Sequence, residues 1–199
     1  FLKQITWDSL QDVNGHRQVI FEAIVKYRKM KNRGVVAIFQ RDRFDHYSNF
    51  ARIGEGSLGG KGRGLAFIDN MVKRHAEFEE FENATVAIPK TVVLCTDIFD
   101  EFMDSNNLYQ IGLSDADDDV ILKAFLRARL PERLMDDFLA FLDVVRSPIA
   151  IRSSSLLEDS HYQPFAGIYS TYMIPYMEDK NEMLRMLGDA IKGVYASVY

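Results

Sequence analysis

The chain has 199 residues, enough for one sizeable core or one core with a smaller satellite. A hydrophobic share of 47% and an aromatic share of 12% place it among globular proteins and exclude a disordered chain. The net charge of −5 argues against a nucleic-acid partner, which needs a basic surface, and no apolar run reaches the roughly 18 residues that cross a bilayer. No signal-peptide pattern opens the chain, so the expected location is the cytoplasm, with no membrane partner. Cys95 is the only cysteine, which leaves no intrachain disulfide and no cysteine-based zinc site. Its apolar run, Val92-Val93-Leu94-Cys95, predicts a buried structural thiol.

Both ends read as cuts in a longer protein, since the sequence opens at Phe1 without a methionine and stops at Tyr199 within a helical pattern. From Arg17 to Lys31, Val19, Ile20, Ala23, Ile24 and Tyr27 recur at helical spacing and predict an amphipathic helix ended by Gly34. Val35 to Phe39 predicts a short buried strand. A polar stretch from Gln40 to Ser48 leads to a glycine-rich loop over 54–64, and a helix is predicted from Leu65 to His75. Thr85 to Ile88 and Thr91 to Cys95 predict strands around Pro89.

Thr96 and Asp97 mark a helix start, because a hydroxyl or carboxylate there can accept from orphan backbone N–H groups; that helix runs to Asn106. Two further helices are predicted, from Asp117 to Arg129 and from Pro131 to Val145, the second with proline at its first position. Ile149 to Ile151 predicts a strand, Ser153 to Pro164 a polar loop, Gly167 to Ile174 a strand and Asn181 to Tyr199 an amphipathic helix. The interspersed elements give a mixed α and β class. A boundary near residue 50 would separate a helix-strand appendage (1–50) from a nucleotide-binding domain (51–199).

Residues 54–64 hold six glycines, at 54, 56, 59, 60, 62 and 64. Glycine lets backbone N–H groups approach phosphate oxygens and take the positive φ values that a cradle needs. Lys61 adds a mobile cation, Arg63 adds to the field, and the following helix adds its N-terminal dipole. The P-loop pattern fails twice, with Glu55 where its first glycine belongs and Gly62 where a Ser or Thr should follow the lysine. Gly54-x-Gly56-x-x-Gly59 matches the dinucleotide fingerprint formally, but no clear strand precedes it and no ribose-binding carboxylate stands out. The protein-kinase loop also matches formally, with neither HRD nor DFG after it. A glycine-rich turn without a ligand is the bland alternative.

Ile149-Ala150-Ile151-Arg152-Ser153-Ser154-Ser155 reads as a buried strand ending in an arginine and three hydroxyls. The guanidinium fork suits phosphate oxygens, and serines donate beside it. An arginine at the edge of a hydrophobic strand is costly unless paired. Either it clamps a phosphate opposite Lys61, or it pairs internally with Glu158 or Asp159.

Together, Gly59-Gly60-Lys61-Gly62 before a helix, Ala150-Ile151-Arg152-Ser153-Ser154-Ser155, Glu158-Asp159 and the run Phe165-Ala166-Gly167-Ile168-Tyr169-Ser170-Thr171-Tyr172 resemble the N-terminal part of pyruvate phosphate dikinases and phosphoenolpyruvate synthases. Ile88-Pro89 before a strand and Phe99 in the next helix agree with it, and the resemblance spans roughly 53–199. It implies the family's PEP/pyruvate-binding domain, an α+β, ATP-grasp-like nucleotide-binding fold with a mixed sheet and flanking helices, incomplete without a downstream subdomain. It implies that Lys61 and Arg152 are catalytic contacts to ATP phosphates, with Gly59, Gly60, Gly62, Ser153 and Ser154 around them. Phe165-Ala166-Gly167 would shape a loop. No metal ligand is expected within these residues; the Mg²⁺ carboxylates would lie beyond Tyr199. Phosphoryl would pass from ATP to a carrier histidine on another domain of the same chain, then to pyruvate or a similar acceptor. The longer loop at Gly54 to Leu58 departs from the family's usual one, and residues 1–50 have no counterpart in it.

The remaining constellations favour bland readings. Asp115-x-Asp117-x-Asp119 lacks the glycine and the final glutamate of a calcium loop, with Val120 and Leu126 in those places, and acidic residues suit a helix N-terminus. Glu77, Glu79, Glu80 and Glu82 form a solvated run. Tyr169 and Tyr172 suit strand packing, and His16, His46, His75 and His161 read as isolated surface residues. Ser153 to Ser155 have no evident His/Asp partners for a hydrolase. Two functions stay open: an ATP-dependent phosphotransferase part, or an inactive nucleotide-sensing or interaction module on the same fold.

Overall fold

The computed structural model describes residues 36–44, 49–79, 81, 83–156, 167 and 169–199, together with 17, 19–21 and 23. These divide between two units, one drawn from residues 1–35 and 70–87 and the other from 36–69 and 88–199. In the larger unit, β1 (Ala37–Ile38), β2 (Phe50–Ile53) and β3 (Thr91–Leu94) form a parallel sheet in the order β1-β2-β3. Ala37 aligns with Ala51, and Phe50 to Ile53 align with Thr91 to Leu94. Parallel strands need a crossover, and α1 (Gly59–Arg74) lies between β2 and β3 in the chain.

Side chains alternate across this sheet, as the pleat requires. Phe50 and Val93 pack with Leu58, Leu65 and Ala66, so that face meets the start of α1. Ala51 and Ile53 turn into the main core. There they meet α5 (Arg133–Val144), which buries Leu134, Phe138 and Leu142, and α6 (Lys180–Ala196), which buries Met183, Leu187, Ala190 and Ile191. These are steps of three and four residues, one stripe on each helix. Burying each Leu, Ile or Phe contributes about 1.5–3 kcal/mol. Asp179 caps α6 by accepting from the amides of Asn181 and Glu182, at 2.9 and 3.2 Å. A second cluster joins α2 (Thr96–Ser105), α3 (Tyr109–Gly112) and α4 (Asp118–Arg127) through Phe102, Met103, Leu108, Ile121 and Phe125.

β4 (Ile149–Arg152) and β5 (Thr171–Ile174) form an antiparallel pair in which Ile149 faces Ile174 and Arg152 faces Thr171. Ile149, Ile151, Tyr172 and Ile174 point to the main core, and Ala150, Arg152, Thr171 and Met173 are exposed on the other face. The ring of Tyr172 lies over Gly193 of α6 so closely that a Cβ there would sit 2.7 Å from its hydroxyl. A parallel sheet, an antiparallel pair and flanking helices make the class α+β, as expected. No helix among the described residues is long and apolar enough to cross a membrane.

Tyr195 stands between the two clusters, 5.0 Å edge-on from Phe99 and 5.5 Å from Phe102. Its hydroxyl is buried without a hydrogen-bond partner among the described residues, and burial pushes the phenol well above its usual value. Removing an unsatisfied buried hydroxyl should help folding. Tyr195→Phe is therefore expected to stabilise the protein by about 1 kcal/mol in urea unfolding; a loss of that size would mean that the hydroxyl has a partner.

Several predicted elements shift. Residues 85–88 form no strand, and α1 starts at Gly59 rather than Leu65, so half of the glycine-rich loop is helix. β2 lies directly before the loop, where no strand was expected. α5 begins at Arg133 with Glu132 before it, which leaves Pro131 outside the helix, its carbonyl accepting from the amide of Leu134. β4 is not fully buried: Ile149 and Ile151 turn inward, while Ala150 and Arg152 are exposed on the other face. Residues 17, 19–21 and 23 are helical, within the predicted helix. In the smaller unit a 3₁₀ helix (Ala76–Glu79) follows α1, and His75 is not isolated: its Nδ1 lies 3.5 Å from the Glu77 carboxylate. His16, His46, Glu158, Asp159, His161, Phe165 and Ala166 lie outside the described residues.

Candidate functional site

The loop between β2 and α1 is held at two places by the side chains of distant residues. At its start, the Asp97 carboxylate accepts from the amides of Glu55 and Gly56, each at 2.9 Å. The Thr96 hydroxyl accepts from the Ser57 amide at 3.0 Å, and the Thr96 amide donates back to the Ser57 carbonyl at 3.1 Å. Burial pushes the Asp97 carboxyl up, but the amides of Glu55, Gly56, Asp97 and Ile98 outweigh it and hold it below the ordinary carboxylate value. Arg52 braces the same turn, donating to the Gly54 carbonyl and, at 3.1 Å, to Glu55. Cys95, just before α2, is buried as expected, and burial pushes its thiol up.

At the helix start the partner is Ser154. Its carbonyl accepts from the Gly60 amide at 2.9 Å, and its hydroxyl accepts from the Gly62 amide at 2.8 Å and donates to the Leu58 carbonyl at 2.6 Å. Gly59 has φ +72°, and a Cβ on it would overlap the Ser154 carbonyl and lie 2.7 Å from Oγ. The Gly59 amide donates to the Ser57 hydroxyl at 3.2 Å, which also accepts from Arg63 at 3.1 Å.

Lys61 lies between the two glycines tied to Ser154; it is half-buried and its Nζ is shielded from solvent. Arg152 lies two residues before Ser154 on the open face of β4, opposite Thr171. No ion pair among the described residues involves Arg152. The Ser153 hydroxyl accepts from the Ser155 amide at 3.1 Å, and the Tyr169 hydroxyl donates to Ser155 at 3.1 Å. So the structure joins Gly59, Gly60, Gly62 and Ser154 directly, and attaches the segments that carry Lys61 and Arg152 to that joint.

Thr96 and Asp97 were legible as a helix start, and α2 does begin there, but no side chain caps it from Cys95. Their side-chain oxygens serve the neighbouring loop as well. Thr171 was legible only as one member of the run from Phe165 to Tyr172, with no role of its own. The loop does follow a strand and open a helix, the context that the dinucleotide fingerprint requires, yet the amides of residues 55–57 already face Asp97 and Thr96.

The family model described as "Pyruvate phosphate dikinase, AMP/ATP-binding domain" matches residues 55–199. No curated protein and no solved structure matches the chain.

Proposed function

The chain belongs to the pyruvate phosphate dikinase AMP/ATP-binding domain family, and on that premise we propose that residues 51–199 are the front part of an ATP-grasp phosphotransferase domain. ATP binds with its phosphates at the joint around Ser154. Lys61 and Arg152 neutralise the polyphosphate, Thr171 donates from the strand opposite Arg152, and Gly59, Gly60, Gly62, Ser153 and Ser154 shape the cradle. Phosphoryl transfer needs positioning and charge stabilisation above all, which these residue types supply. The observation that carries this reading is the set of three hydrogen bonds, two to the lysine's helix and one to Leu58 just before it, by which Ser154 ties that segment to the arginine's strand.

Among the described residues no three His, Cys, Asp or Glu side chains are grouped to hold a metal ion. Mg²⁺ would accompany the ATP polyphosphate, with carboxylates beyond Tyr199 to hold it. The phosphoryl group would move to a histidine on another domain and then to pyruvate or a similar acceptor, in the cytoplasm.

A second reading, a nucleotide-sensing or interaction module without transfer, is favoured by one observation. The amides of Gly60 and Gly62 are bonded to Ser154 rather than open to a ligand. AMP formation from ATP by the full-length protein, with Mg²⁺ and with or without pyruvate, separates the two. Pyruvate-dependent AMP, lost in Arg152→Ala, is expected. ATP binding without AMP under either condition would replace the transferase reading with the sensing one.

A further inference from the structure

We propose that Asp97 is a positioning residue of the nucleotide site, a built-in anion that fills the amide nest at the start of the loop and so sets the loop's shape before ATP arrives. The proposal rests on the nucleotide reading above. Successive backbone N–H groups that converge on one point form a concavity for an anion. Here the amides of Glu55 and Gly56 converge on a single carboxylate, one on each oxygen, both at 2.9 Å. The glycines at this end are shaped for that carboxylate and its neighbour. Gly54 has φ +100°, and a Cβ on it would lie 2.9 Å from Asp97 Oδ2. A Cβ on Gly56 would lie 2.5 Å from the Thr96 hydroxyl and 2.7 Å from the Asp97 amide. Contacts that close leave no room for a side chain, so glycine at 54 and 56 answers to α2 rather than to a ligand.

The division of labour along the loop follows. Donors at 55–57 are taken by Asp97 and Thr96 and those of Gly60 and Gly62 by Ser154, so an incoming phosphate is met by side chains, Lys61 foremost, that the tied loop holds in place. With both ends tied, only Leu58 lies between the anchored residues 57 and 59. A loop ordered beforehand does not have to be ordered by its ligand, and the saving appears as affinity. Asp97 never touches the nucleotide in this scheme. It acts through the loop.

The test is calorimetric titration of the full-length protein with ATP and Mg²⁺. Asp97→Ala is expected to bind about tenfold more weakly, because hydrogen bonds to a charged acceptor are lost from two amides. Asp97→Asn should fall between, since its amide oxygen can still accept from one of them. Sodium formate carries the missing carboxylate and should restore most of the affinity of Asp97→Ala, while sodium chloride at equal ionic strength should not. Formate rescue is the readout that a general loss of stability would not produce. Asp97→Ala binding like the wild type, or a folded Asp97→Ala that is weakened but insensitive to formate, would overturn the proposal alone. Failure of the wild type to bind ATP would instead remove the nucleotide reading on which it rests.

Discussion

Replacing Lys61 by alanine in the full-length protein is expected to lower kcat/KM for ATP about a hundredfold. The lysine sits in the first turn of α1, between two glycines whose amides are fixed on Ser154, so its backbone is held on both sides. Its Nζ is shielded from solvent. A charge interaction there is screened less than one at the open surface, so an ammonium meeting a phosphate counts for more. Lys61→Arg should recover only part of the loss, because a planar fork does not replace a compact ammonium in a confined place. Initial-rate kinetics over a range of ATP concentrations decide the matter. Kinetics indistinguishable from wild type would remove Lys61 from the site.

Gly59→Ala is expected to cost about 3 kcal/mol or more, through two causes that act together. An L-residue at φ +72° is strained, and the new methyl group would overlap the backbone carbonyl of Ser154, which cannot swing away as a side-chain tip can. Relief requires Ser154 to move, which breaks its bonds to Gly60 and Gly62. Gly64 is the internal control in the same helix. Nothing lies within 4 Å of a Cβ there, so Gly64→Ala should be neutral or stabilise by up to about 1 kcal/mol through helix propensity. Denaturant unfolding of both variants reads the contrast. Equal effects would mean that Ser154 does not approach the loop as closely as the geometry has it.

How much of this was legible depended on whether the information was local. β3 reads directly from Thr91-Val92-Val93-Leu94, and α5 and α6 read from their apolar stripes. β2 was missed because Phe50-Ala51-Arg52-Ile53 is short, contains an arginine and has a single β-branched residue; it is a strand because β1 and β3 flank it. The start of α1 was missed because glycine disfavours helix, yet at Gly62 a Cβ would crowd Leu58, Ser154 and Val93 at 3.1–3.4 Å. Residue type alone suggests Lys61 and Arg152 for phosphate, and the proposal that they share one polyphosphate draws on that and on the family. The grip of Asp97 was not visible: it joins residues 41 and 42 positions apart, and no periodicity or motif records such a contact.

The Ser154 tie also bears on the order in which the protein takes shape. It links positions separated by 92 to 96 residues, so the ends of a long loop must meet before it forms. While the chain is being synthesised, Lys61 leaves the ribosome well ahead of the serine that shapes its surroundings. The glycine-rich loop is thus completed late, and a nascent chain that carries Lys61 without Ser154 lacks the tie that fixes it.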